Sequence, residues 1–433
     1  MKISKYNSTI HLNNGKSLIY NSMSDQFVVL NSQILSDGIL NSGGIKEMRS
    51  QKLLDAGIIV PKERNEYEEF KKLLISRRQN ETVFQLHINP TLSCNFKCWY
   101  CYEVHKPVGR MSDSTISNIL KFVKKKFNRQ PEIKDFILSF FGGEPMMYFD
   151  QVVKPLILRI ADLCREHNVR LTIQFTSNGF LFDKERIEFF RKFPSSFQIT
   201  LDGYRDFHNR VRFQGSGALH KGSYDKIISN IKALLNGGNA IVIRINYTSD
   251  NIDSISEIVR DLDGIPEECR NHLIVDFQQV WQDIRKDEAE AIYERTAPYL
   301  RQVRELGIKA GKPLGRDQVR YPCYADYDNY ALVNFDGKIF LCTARDFNES
   351  NSVGFLNDEG EIEWDKDTIS CRRQSIFKNK TCIDCRILGI CGGGCNQKKY
   401  DMRHVETCPL SMDEDAKDDW ILAHFENSYL AGT

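Results

Sequence analysis

One stretch of the sequence decides the fold: Asn89-Pro90-Thr91-Leu92-Ser93-Cys94-Asn95-Phe96-Lys97-Cys98-Trp99-Tyr100-Cys101-Tyr102. It follows an apolar run of strand length, and its three cysteines have the spacing Cys-x3-Cys-x2-Cys. Cysteine thiolates at such compact spacings hold iron–sulfur clusters. Three thiolates on one short loop can hold a four-iron cluster and leave its fourth iron free for a further ligand. A closed zinc site is the alternative, but it needs four ligands, and three cysteines do not supply them.

Length and charge narrow the classes of protein. At 433 residues the chain is long enough for two or three folding units with a sizeable core. Its 59 Lys and Arg against 58 Asp and Glu leave a net charge of +1, so no global field attracts nucleic acid or an anionic membrane. The N-terminus lacks the apolar core of a signal peptide, and no window reaches the roughly 18 apolar residues of a membrane span. We therefore predict a cytoplasmic protein that binds neither nucleic acid nor membrane. Its 13 cysteines then indicate metal binding or catalysis more than disulfides.

Apolar runs of strand length alternate with amphipathic stretches of helix length between residues 84 and 280. This alternation predicts repeated βα units around a parallel sheet. The six predicted strands are Val83 to Ile88, Asp135 to Phe141, Arg170 to Phe175, Phe197 to Leu201, Ala240 to Tyr247 and Leu273 to Val280. The predicted helices between them are Ser112 to Phe127, Val152 to His167, Lys184 to Lys192, Tyr224 to Asn236 and Ile252 to Leu262.

Polar and glycine-rich motifs follow these strands at their carboxyl ends, where parallel α/β folds place their chemistry. After the cysteine loop come Gly142-Gly143-Glu144-Pro145, Thr176-Ser177-Asn178-Gly179 and Asp202-Gly203. Two glycines permit a close backbone approach, and Glu144 can accept strong hydrogen bonds from an ammonium group. Asn-Gly and Asp-Gly are also common turn formers, so turn chemistry is the alternative for these motifs. Arg244 lies in an otherwise apolar strand, so we expect it to meet a carboxylate of the protein or of a ligand.

A second set of cysteines lies in the C-terminal part of the chain. They are Cys323, then Gly337-x4-Cys342, then Cys382-x2-Cys385-x5-Cys391-x3-Cys395, and finally Cys408. Seven cysteines are too many for one zinc ion and suit two further clusters, while a two-zinc ribbon is the alternative.

The cysteine loop, the Gly-Gly-Glu-Pro segment and the seven C-terminal cysteines together resemble the radical S-adenosylmethionine (SAM) enzymes that carry a SPASM auxiliary-cluster domain. The resemblance covers residues from about 84 to 410. It implies an α/β fold with a partial (β/α)6 barrel over residues 81–310 and a Cys-rich SPASM domain over residues 311–433. Related enzymes modify ribosomally made peptides or proteins.

The first 80 residues differ in character from the rest. Lys16 to Tyr20 and Gln26 to Leu30 predict a hairpin, and a charged helix follows from Glu66 to Arg77. This small α+β unit resembles the winged-helix modules that recognise leader peptides in many maturases, where the substrate pairs with a sheet edge. The alternative is an extension that packs against the barrel.

The resemblance also implies the ligands. Cys94, Cys98 and Cys101 would hold the catalytic [4Fe–4S] cluster, whose free iron chelates SAM. Further SAM contacts would come from Tyr100, Gly142, Gly143, Glu144, Pro145, Ser177, Asn178, Asp202 and Arg244. Two auxiliary [4Fe–4S] clusters would be held by Cys382, Cys385, Cys391 and Cys408 (outer) and by Cys323, Cys342 and Cys395 (inner). The inner cluster would be completed by Cys371 or keep an open iron.

The implied activity is reductive cleavage of SAM to a 5′-deoxyadenosyl radical, followed by formation of a thioether or another intramolecular cross-link in a precursor peptide with a leader sequence. Electrons would come from a partner such as flavodoxin or ferredoxin. Anaerobic sulfatase maturases are one alternative, but they typically carry an Asp where this chain has Thr343, directly after Cys342. A hydroxyl cannot accept a proton as a carboxylate does. This chain therefore lacks the base for formylglycine formation unless Asp346 compensates. A non-catalytic, cluster-containing peptide-binding protein and a zinc-binding scaffold are the alternatives of another class.

Overall fold

The computed structural model describes residues 1–12, 14–33, 47–103, 108–214, 221–283, 295–310, 323–402 and 406–429. The chain forms two compact units. The first comprises residues 1–80, 314–328 and 366–433, and the second comprises residues 81–313 and 329–365. These bounds differ from the three predicted domains, because the N-terminal residues share a unit with most of the cysteine-rich part and residues 329–365 join the barrel strands.

The strands, numbered along the chain, are β1 (Lys2–Ile3), β2 (Asn7–His11), β3 (Lys16–Asn21), β4 (Gln26–Asn31), β5 (Ile59–Val60), β6 (Val83–Ile88), β7 (Asp135–Phe140), β8 (Arg170–Ser177), β9 (Ser196–Leu201), β10 (Phe213–Gln214), β11 (Lys221–Gly222), β12 (Ala240–Tyr247), β13 (Leu273–Gln279), β14 (Lys309–Ala310), β15 (Tyr330–Val333), β16 (Lys338–Phe340), β17 (Gly354–Leu356) and β18 (Ile362–Trp364). The α-helices are α1 (Glu47–Asp55), α2 (Glu66–Arg78), α3 (Asp113–Arg129), α4 (Lys154–Glu166), α5 (Lys184–Lys192), α6 (Arg205–Val211), α7 (Tyr224–Asn236), α8 (Ile255–Asp263), α9 (Glu267–Arg270), α10 (Ala297–Glu305), α11 (Lys366–Lys378), α12 (Lys380–Ile383), α13 (Leu388–Cys391), α14 (Asn396–Asp401) and α15 (Glu414–Tyr429).

The second unit is built on an eleven-stranded sheet in the order β14-β13-β12-β9-β8-β7-β6-β15-β16-β17-β18. Neighbours from β14 to β15 run parallel, and β15 to β18 form an antiparallel meander. All six predicted strands and the five helices between them are confirmed to within a few residues. The predicted cap of α3 is also confirmed, because the Ser112 hydroxyl accepts a hydrogen bond of 3.0 Å from the Thr115 N–H.

Three phenylalanines fix the register of the central strands. Phe140, Phe175 and Phe197 lie on β7, β8 and β9 at directly paired positions. Their rings stack with centroid distances of 4.9 and 5.0 Å and are buried. Such cross-strand aromatic pairs stabilise a sheet beyond the area they bury. The ladder therefore aligns the end of β7 with the middle of β8 and the start of β9.

Strand β15 was not predicted. It pairs in parallel with β6, and all four of its residues, Tyr330–Val333, are buried. The Tyr330 hydroxyl lies 2.6 Å from Nδ1 of His87 on β6. This pairing explains why residues 329–365 belong to the second unit and not to a separate C-terminal domain.

The first unit joins N-terminal and C-terminal segments of the chain in shared hydrophobic clusters. The predicted hairpin is confirmed as β3 and β4, and β2 extends it to a three-stranded antiparallel sheet. Tyr6 packs with Leu388 and Cys382, and its hydroxyl donates to the Ile383 carbonyl at 3.0 Å. His424 of α15 lies 2.7 Å from the buried Asp25 carboxylate. These contacts between residues distant in sequence make the N-terminal strands and the cysteine-rich helices one unit. Among the described helices, none combines the length and the apolar character needed to cross a membrane.

Candidate active site at the cysteine loop

A cavity of about 190 Å³ opens beside the cysteine loop in the second unit. Side chains alternate between the two faces of a strand, so polar residues that lie between buried apolar neighbours contribute to the cavity wall. Gln198 and Thr200 do so on β9. Arg244 and Asn246 do the same on β12. The predicted site residues in the wall are Cys94, Cys98, Tyr100, Cys101, Gly142, Gly143, Ser177, Asn178 and Arg244. The structure therefore brings most of the predicted site together.

The three cysteines of the loop are free thiols. Burial raises the pKa of Cys94 to about 12 and that of Cys101 to about 11. The Cys94 sulfur also accepts a hydrogen bond from the Phe96 N–H at 3.4 Å. Thiols must give up their protons to bind a metal, so metal binding at this loop is coupled to proton release. Three free sulfurs beside one cavity are a donor set that fits an iron–sulfur cluster with one open iron.

Gly142 and Gly143 let two loops touch. Gly142 has φ +97°, and a Cβ there would lie 2.5 Å from the Thr91 carbonyl oxygen. A Cβ on Gly143 would lie 2.2 Å from the Ser93 carbonyl oxygen. With no side chain in the way, the Gly143 N–H donates a hydrogen bond of 3.1 Å to the Thr91 carbonyl. Only glycine permits this contact, so the pair of glycines joins the end of β7 directly to the cysteine loop.

Glu144 lies under the site rather than in the cavity wall. It is fully buried, and its carboxylate accepts hydrogen bonds from the Asn178 N–H at 2.7 Å, the Ser177 hydroxyl at 2.9 Å and the Met146 N–H at 3.0 Å. These bonds tie the end of β7 to the end of β8. Glu144 and Pro145 are absent from the residues that line the cavity, so a contact of either one with SAM stays a prediction.

Tyr100 and Asp202 are joined in a buried network. The Tyr100 hydroxyl donates to the Asp202 carboxylate, and Arg212 pairs with the same carboxylate. Arg212 also donates to the Tyr100 oxygen at 2.7 Å, and Asn246 does so at 3.1 Å. Burial raises the pKa of Tyr100 well above its ordinary value, so the hydroxyl remains a donor. Sequence analysis missed Arg212 and Asn246, and no spacing or motif singles them out.

Arg244 lines the cavity, and its Nε donates to the Asn246 side-chain oxygen at 3.2 Å. Within the described part of the chain it has no carboxylate partner in an ion pair. The sequence predicted that Arg244 meets a carboxylate of the protein or of a ligand, so a ligand carboxylate is the option that remains.

Glu103 is a further acidic group in the cavity wall, and the sequence did not predict it. It is 8 % exposed, and its Oε2 has no hydrogen-bond partner among the described residues. Burial and, second, the charge of Asp346 raise the pKa of Glu103 to about 8. The neighbouring Tyr102 hydroxyl donates to the Thr343 carbonyl at 2.8 Å, which ties the end of the cysteine loop to the segment after Cys342. The feature of the sequence that could have indicated Glu103 as a site residue is its position two residues after Cys101.

The C-terminal cysteines divide between the two units. Burial raises the pKa of Cys391 to about 12, and the charges of Cys385, Cys382 and Cys408 raise it further. All four cysteines belong to the first unit. The Asn379 side-chain N–H donates to the Cys382 sulfur at 3.0 Å. Among the described residues, no group of three or more His, Cys, Asp or Glu is spaced for a single metal ion. A cluster sets its thiolates wider apart than one ion does, so this result does not test cluster binding.

Cys323 and Cys371 are exposed in the first unit, and the Cys395 sulfur accepts from the Lys398 N–H at 3.3 Å at the start of α14. Cys342 belongs to the second unit. The inner-cluster assignment draws on both units and therefore stays a prediction.

Residues 88–262 match the Radical SAM superfamily. This match covers the cysteine loop and the strands that carry the glycine pair, Ser177 and Asp202. The family uses SAM and a [4Fe–4S] cluster, in agreement with the donor set beside the cavity. The chain therefore contains a radical SAM domain.

The chain is similar to two curated enzymes. The chain is 27% identical over 187 residues to a cysteine-type anaerobic sulfatase-maturating enzyme of Clostridium novyi, covering 41% of this chain and 48% of that enzyme. It thus spans about half the length of that relative. It is 20% identical over 448 residues to the radical SAM cyclopropyl synthase TigE of Paramaledivibacter caminithermalis, covering 92% of this chain and 90% of that enzyme.

The fold is also that of SuiB from Streptococcus suis. The TM-score is 0.52 at 18% identity, with 96% of this chain and 99% of that chain covered. SuiB structures include one with bound S-adenosylmethionine and one with the precursor peptide SuiA. The likeness shows that the α/β fold extends over nearly the whole chain.

Proposed function

We propose that this protein is a radical SAM enzyme that cleaves SAM reductively and forms a thioether or another intramolecular cross-link in a ribosomally made precursor peptide. One observation carries the proposal: three free thiols, a glycine pair and an arginine with no carboxylate partner among the described residues line one cavity at the carboxyl ends of parallel strands. Strand ends are where parallel α/β folds place catalysis.

When bound, the cluster and SAM supply one-electron cleavage of the sulfonium to a 5′-deoxyadenosyl radical that abstracts hydrogen from a substrate carbon. Cys94, Cys98 and Cys101 would hold that cluster. Arg244 would pair with the methionine carboxylate of SAM, because its guanidinium faces the cavity and a two-point contact with a carboxylate suits it. Gly142 would support SAM binding because it leaves room for the cysteine loop.

The Tyr100 network positions the cysteine loop. Both Asp202 oxygens accept hydrogen bonds from Tyr100, and Arg212 supplies the counter-charge. We therefore assign Asp202 to holding Tyr100 in place, in addition to its predicted contact with SAM. Ser177 and Asn178, which line the cavity, keep their proposed contacts with SAM.

A peptide substrate is supported by the relatives. SuiB, which shares the fold, has been described with a precursor peptide, and the Clostridium relative matures a sulfatase. We further propose that a leader sequence is recognised by the N-terminal strands, that flavodoxin or ferredoxin delivers electrons in the cytoplasm, and that two auxiliary [4Fe–4S] clusters are held by the C-terminal cysteines. The electrostatic effect of Cys382, Cys385 and Cys408 on Cys391 supports the outer of these clusters.

Anaerobic sulfatase maturation is the second candidate, and the 27% identity to the Clostridium novyi enzyme over 187 residues favours it. Thr343 argues against it, because the position after Cys342 lacks a carboxylate and its carbonyl is bonded to Tyr102. The carboxylate at this side of the cavity comes from Glu103 instead. We therefore favour peptide cross-linking.

The test uses anaerobically reconstituted full-length protein with SAM and dithionite. We expect a brown protein that releases 5′-deoxyadenosine, detected by mass spectrometry. The variant with Cys94, Cys98 and Cys101 all changed to Ala should lose the cluster signal in electron paramagnetic resonance and produce no 5′-deoxyadenosine. SAM cleavage that survives this triple change would refute the assignment. Co-expression with short open reading frames from the same gene neighbourhood, followed by peptide mass measurement, identifies the bond; an unmodified peptide alongside a formylglycine-bearing sulfatase would favour the second candidate.

A further inference from the structure

A buried histidine lies behind the Tyr100 network, and the proposed SAM contacts do not use it. His208 is fully buried on α6, whereas Arg205 and Asp206 of the same helix are exposed. A polar ring in the interior needs hydrogen-bond partners for both of its nitrogens, because an unpaired buried polar atom costs free energy. Both nitrogens of His208 have a partner, and these partners lead to the two residues of the buried ion pair.

The His208 ring accepts a hydrogen bond on one side and donates one on the other. The Asp202 N–H donates to Nδ1 at 3.3 Å, and because an N–H group can only donate, Nδ1 carries no proton. The proton of the neutral ring therefore lies on Nε2, which is 3.0 Å from the Ser223 hydroxyl oxygen. The Ser223 hydroxyl in turn donates to the Arg212 carbonyl. Burial lowers the pKa of His208 to about 3, so the ring stays neutral. We call this run of hydrogen bonds, from the Asp202 N–H to the Arg212 carbonyl, the His208 bridge.

Ser223 serves this bridge and not the helix that follows it. It directly precedes α7, where a serine side chain commonly accepts a hydrogen bond from an N–H of the first turn. In the described first turn of α7 the Ser223 hydroxyl accepts no such bond. The Asn209 side-chain oxygen accepts instead from the Ser223 N–H at 2.8 Å and from the Tyr224 N–H at 3.0 Å. The Ser223 hydroxyl is therefore left for His208 and the Arg212 carbonyl.

The His208 bridge joins the backbones of the two residues whose side chains form the ion pair. Asp202 and Arg212 are ten positions apart, and both are buried. Coulomb attraction depends on the distance between the charges alone, whereas a hydrogen bond also requires alignment of donor and acceptor. The bridge therefore adds directional constraints that the ion pair lacks. Arg212 and Tyr100 both line the cavity, so the geometry of its wall depends on the bridge.

We propose that His208 is a positioning residue for SAM binding. It acts through the ion pair of Asp202 and Arg212, and His208 itself does not line the cavity. The proposal rests on the proposed function, because it requires that the cavity beside the cysteine loop binds SAM. It deepens that function by making SAM affinity and cluster retention depend on a side chain outside the cavity.

Two variants break the bridge at the same place. H208N keeps a side-chain oxygen close to the Asp202 N–H and withdraws the donor from Ser223. S223A removes a single hydroxyl, so it tests the same connection even if H208N does not fold. We expect each variant to bind SAM about fivefold more weakly, which is the effect of losing about one hydrogen bond. Each should also release iron to a chelator faster than the wild-type protein. Anaerobic equilibrium dialysis of the full-length, cluster-loaded enzyme gives the dissociation constants of SAM.

The double variant H208N/S223A should bind SAM no more weakly than either single variant, because both changes break one connection. The matched control is N239A. Asn239 is also fully buried and joins two backbone groups, since it accepts from the Ser195 N–H at 2.9 Å and donates to the Leu234 carbonyl at 3.0 Å. It directly precedes β12 and so lies at the amino end of the sheet, whereas the cavity lies at the carboxyl ends. We expect N239A to lower the free energy of unfolding in urea as much as H208N does, and to keep wild-type SAM binding and iron retention.

Three results would overturn the positioning role. They are wild-type SAM affinity and iron retention in both H208N and S223A, additive losses of SAM affinity in the double variant, and an equal loss of SAM affinity in N239A, which would reduce the effect to general destabilisation. Wild-type enzyme that binds no SAM and releases no 5′-deoxyadenosine is a separate outcome, because it refutes the proposed function. Wild-type enzyme that does both, together with unaffected H208N and S223A, refutes the role of His208 alone.

Discussion

The Tyr100 hydroxyl lies 2.7 Å from Oδ1 of Asp202 and 2.8 Å from its Oδ2, so a residue of the cysteine loop is fastened to the residue that follows β9. The two residues are 102 positions apart in sequence. Arg212 closes the network by bonding to both of them. The geometry of the three cysteines thus depends on a buried polar network as well as on the loop itself.

Replacing Tyr100 with Phe removes this tie and leaves the ring in place. We expect the Y100F enzyme to lose iron faster on exposure to a chelator and to release 5′-deoxyadenosine about tenfold more slowly, because a lost buried hydrogen bond of about 1 to 2 kcal/mol leaves the loop less constrained. Iron content, spin-resonance spectra and 5′-deoxyadenosine rates provide the measurements. The control is W99F in the same loop, since Trp99 is 59 % exposed. Wild-type iron retention in Y100F would contradict the positioning role.

The ion pair of Asp202 and Arg212 should show strong coupling. Both side chains are buried, so removal of one partner leaves an uncompensated charge that costs about 3 to 5 kcal/mol in the free energy of unfolding. We expect D202N and R212M each to be this destabilised, and the double variant to be much less destabilised than the sum. Denaturant unfolding of all four proteins gives the coupling energy. Additive losses would show that the two residues act independently.

Gly143 should not tolerate a methyl group. A Cβ there would lie 2.2 Å from the Ser93 carbonyl oxygen, a distance that forces the glycine loop and the cysteine loop apart. We expect G143A to bind SAM at least about tenfold more weakly, since a shift of about 1 Å at a site can cost that much. The control is G109A, because a Cβ on Gly109 meets nothing within 4 Å. SAM dissociation constants from dialysis test both, and equal values would refute the close-contact argument.

Much of this fold could be predicted because its strands are regular and follow one another. Residues such as Phe84, Leu86 and Ile88 alternate with less buried neighbours, which is the pattern of a strand. Strand β15 was not predicted, because a short apolar run gives no sign that it pairs with β6, more than 240 positions earlier. Its hydrogen-bonding partner is set by the folded sheet, so periodicity along the chain does not reveal it.

The residues of the site also divide into those that the sequence predicts and those that it does not. The cysteines and glycines could be predicted because their chemistry and backbone needs restrict the residue type. Arg212 could not be, because the segment around it looks like the polar end of a surface helix, while the structure buries its guanidinium against Asp202. The resemblance predicts that Glu144 contacts SAM, and in the structure its carboxylate accepts hydrogen bonds from Ser177 and Asn178.

His87 should make the second unit sensitive to acid. Burial lowers the pKa of His87 to about 4, below the ordinary value of 6.5, because its charged form is poorly solvated between β6 and β15. The unfolded chain therefore binds a proton near pH 6.5 while the folded protein does not, so stability is full above that pH and falls as the pH drops toward 4. The total loss is about 3 kcal/mol, which follows from about 1.4 kcal/mol for each pKa unit.

The variant H87N removes this titration and keeps an acceptor for the Tyr330 hydroxyl, which lies 2.6 Å from the histidine ring. We expect H87N to lose less stability than the wild-type protein between pH 7 and pH 4.5, and H272N, at an exposed histidine, to behave as wild type. Urea unfolding followed by circular dichroism at several pH values measures the difference at equal cluster content. An identical pH dependence in H87N and wild type would show that His87 is not held neutral by burial.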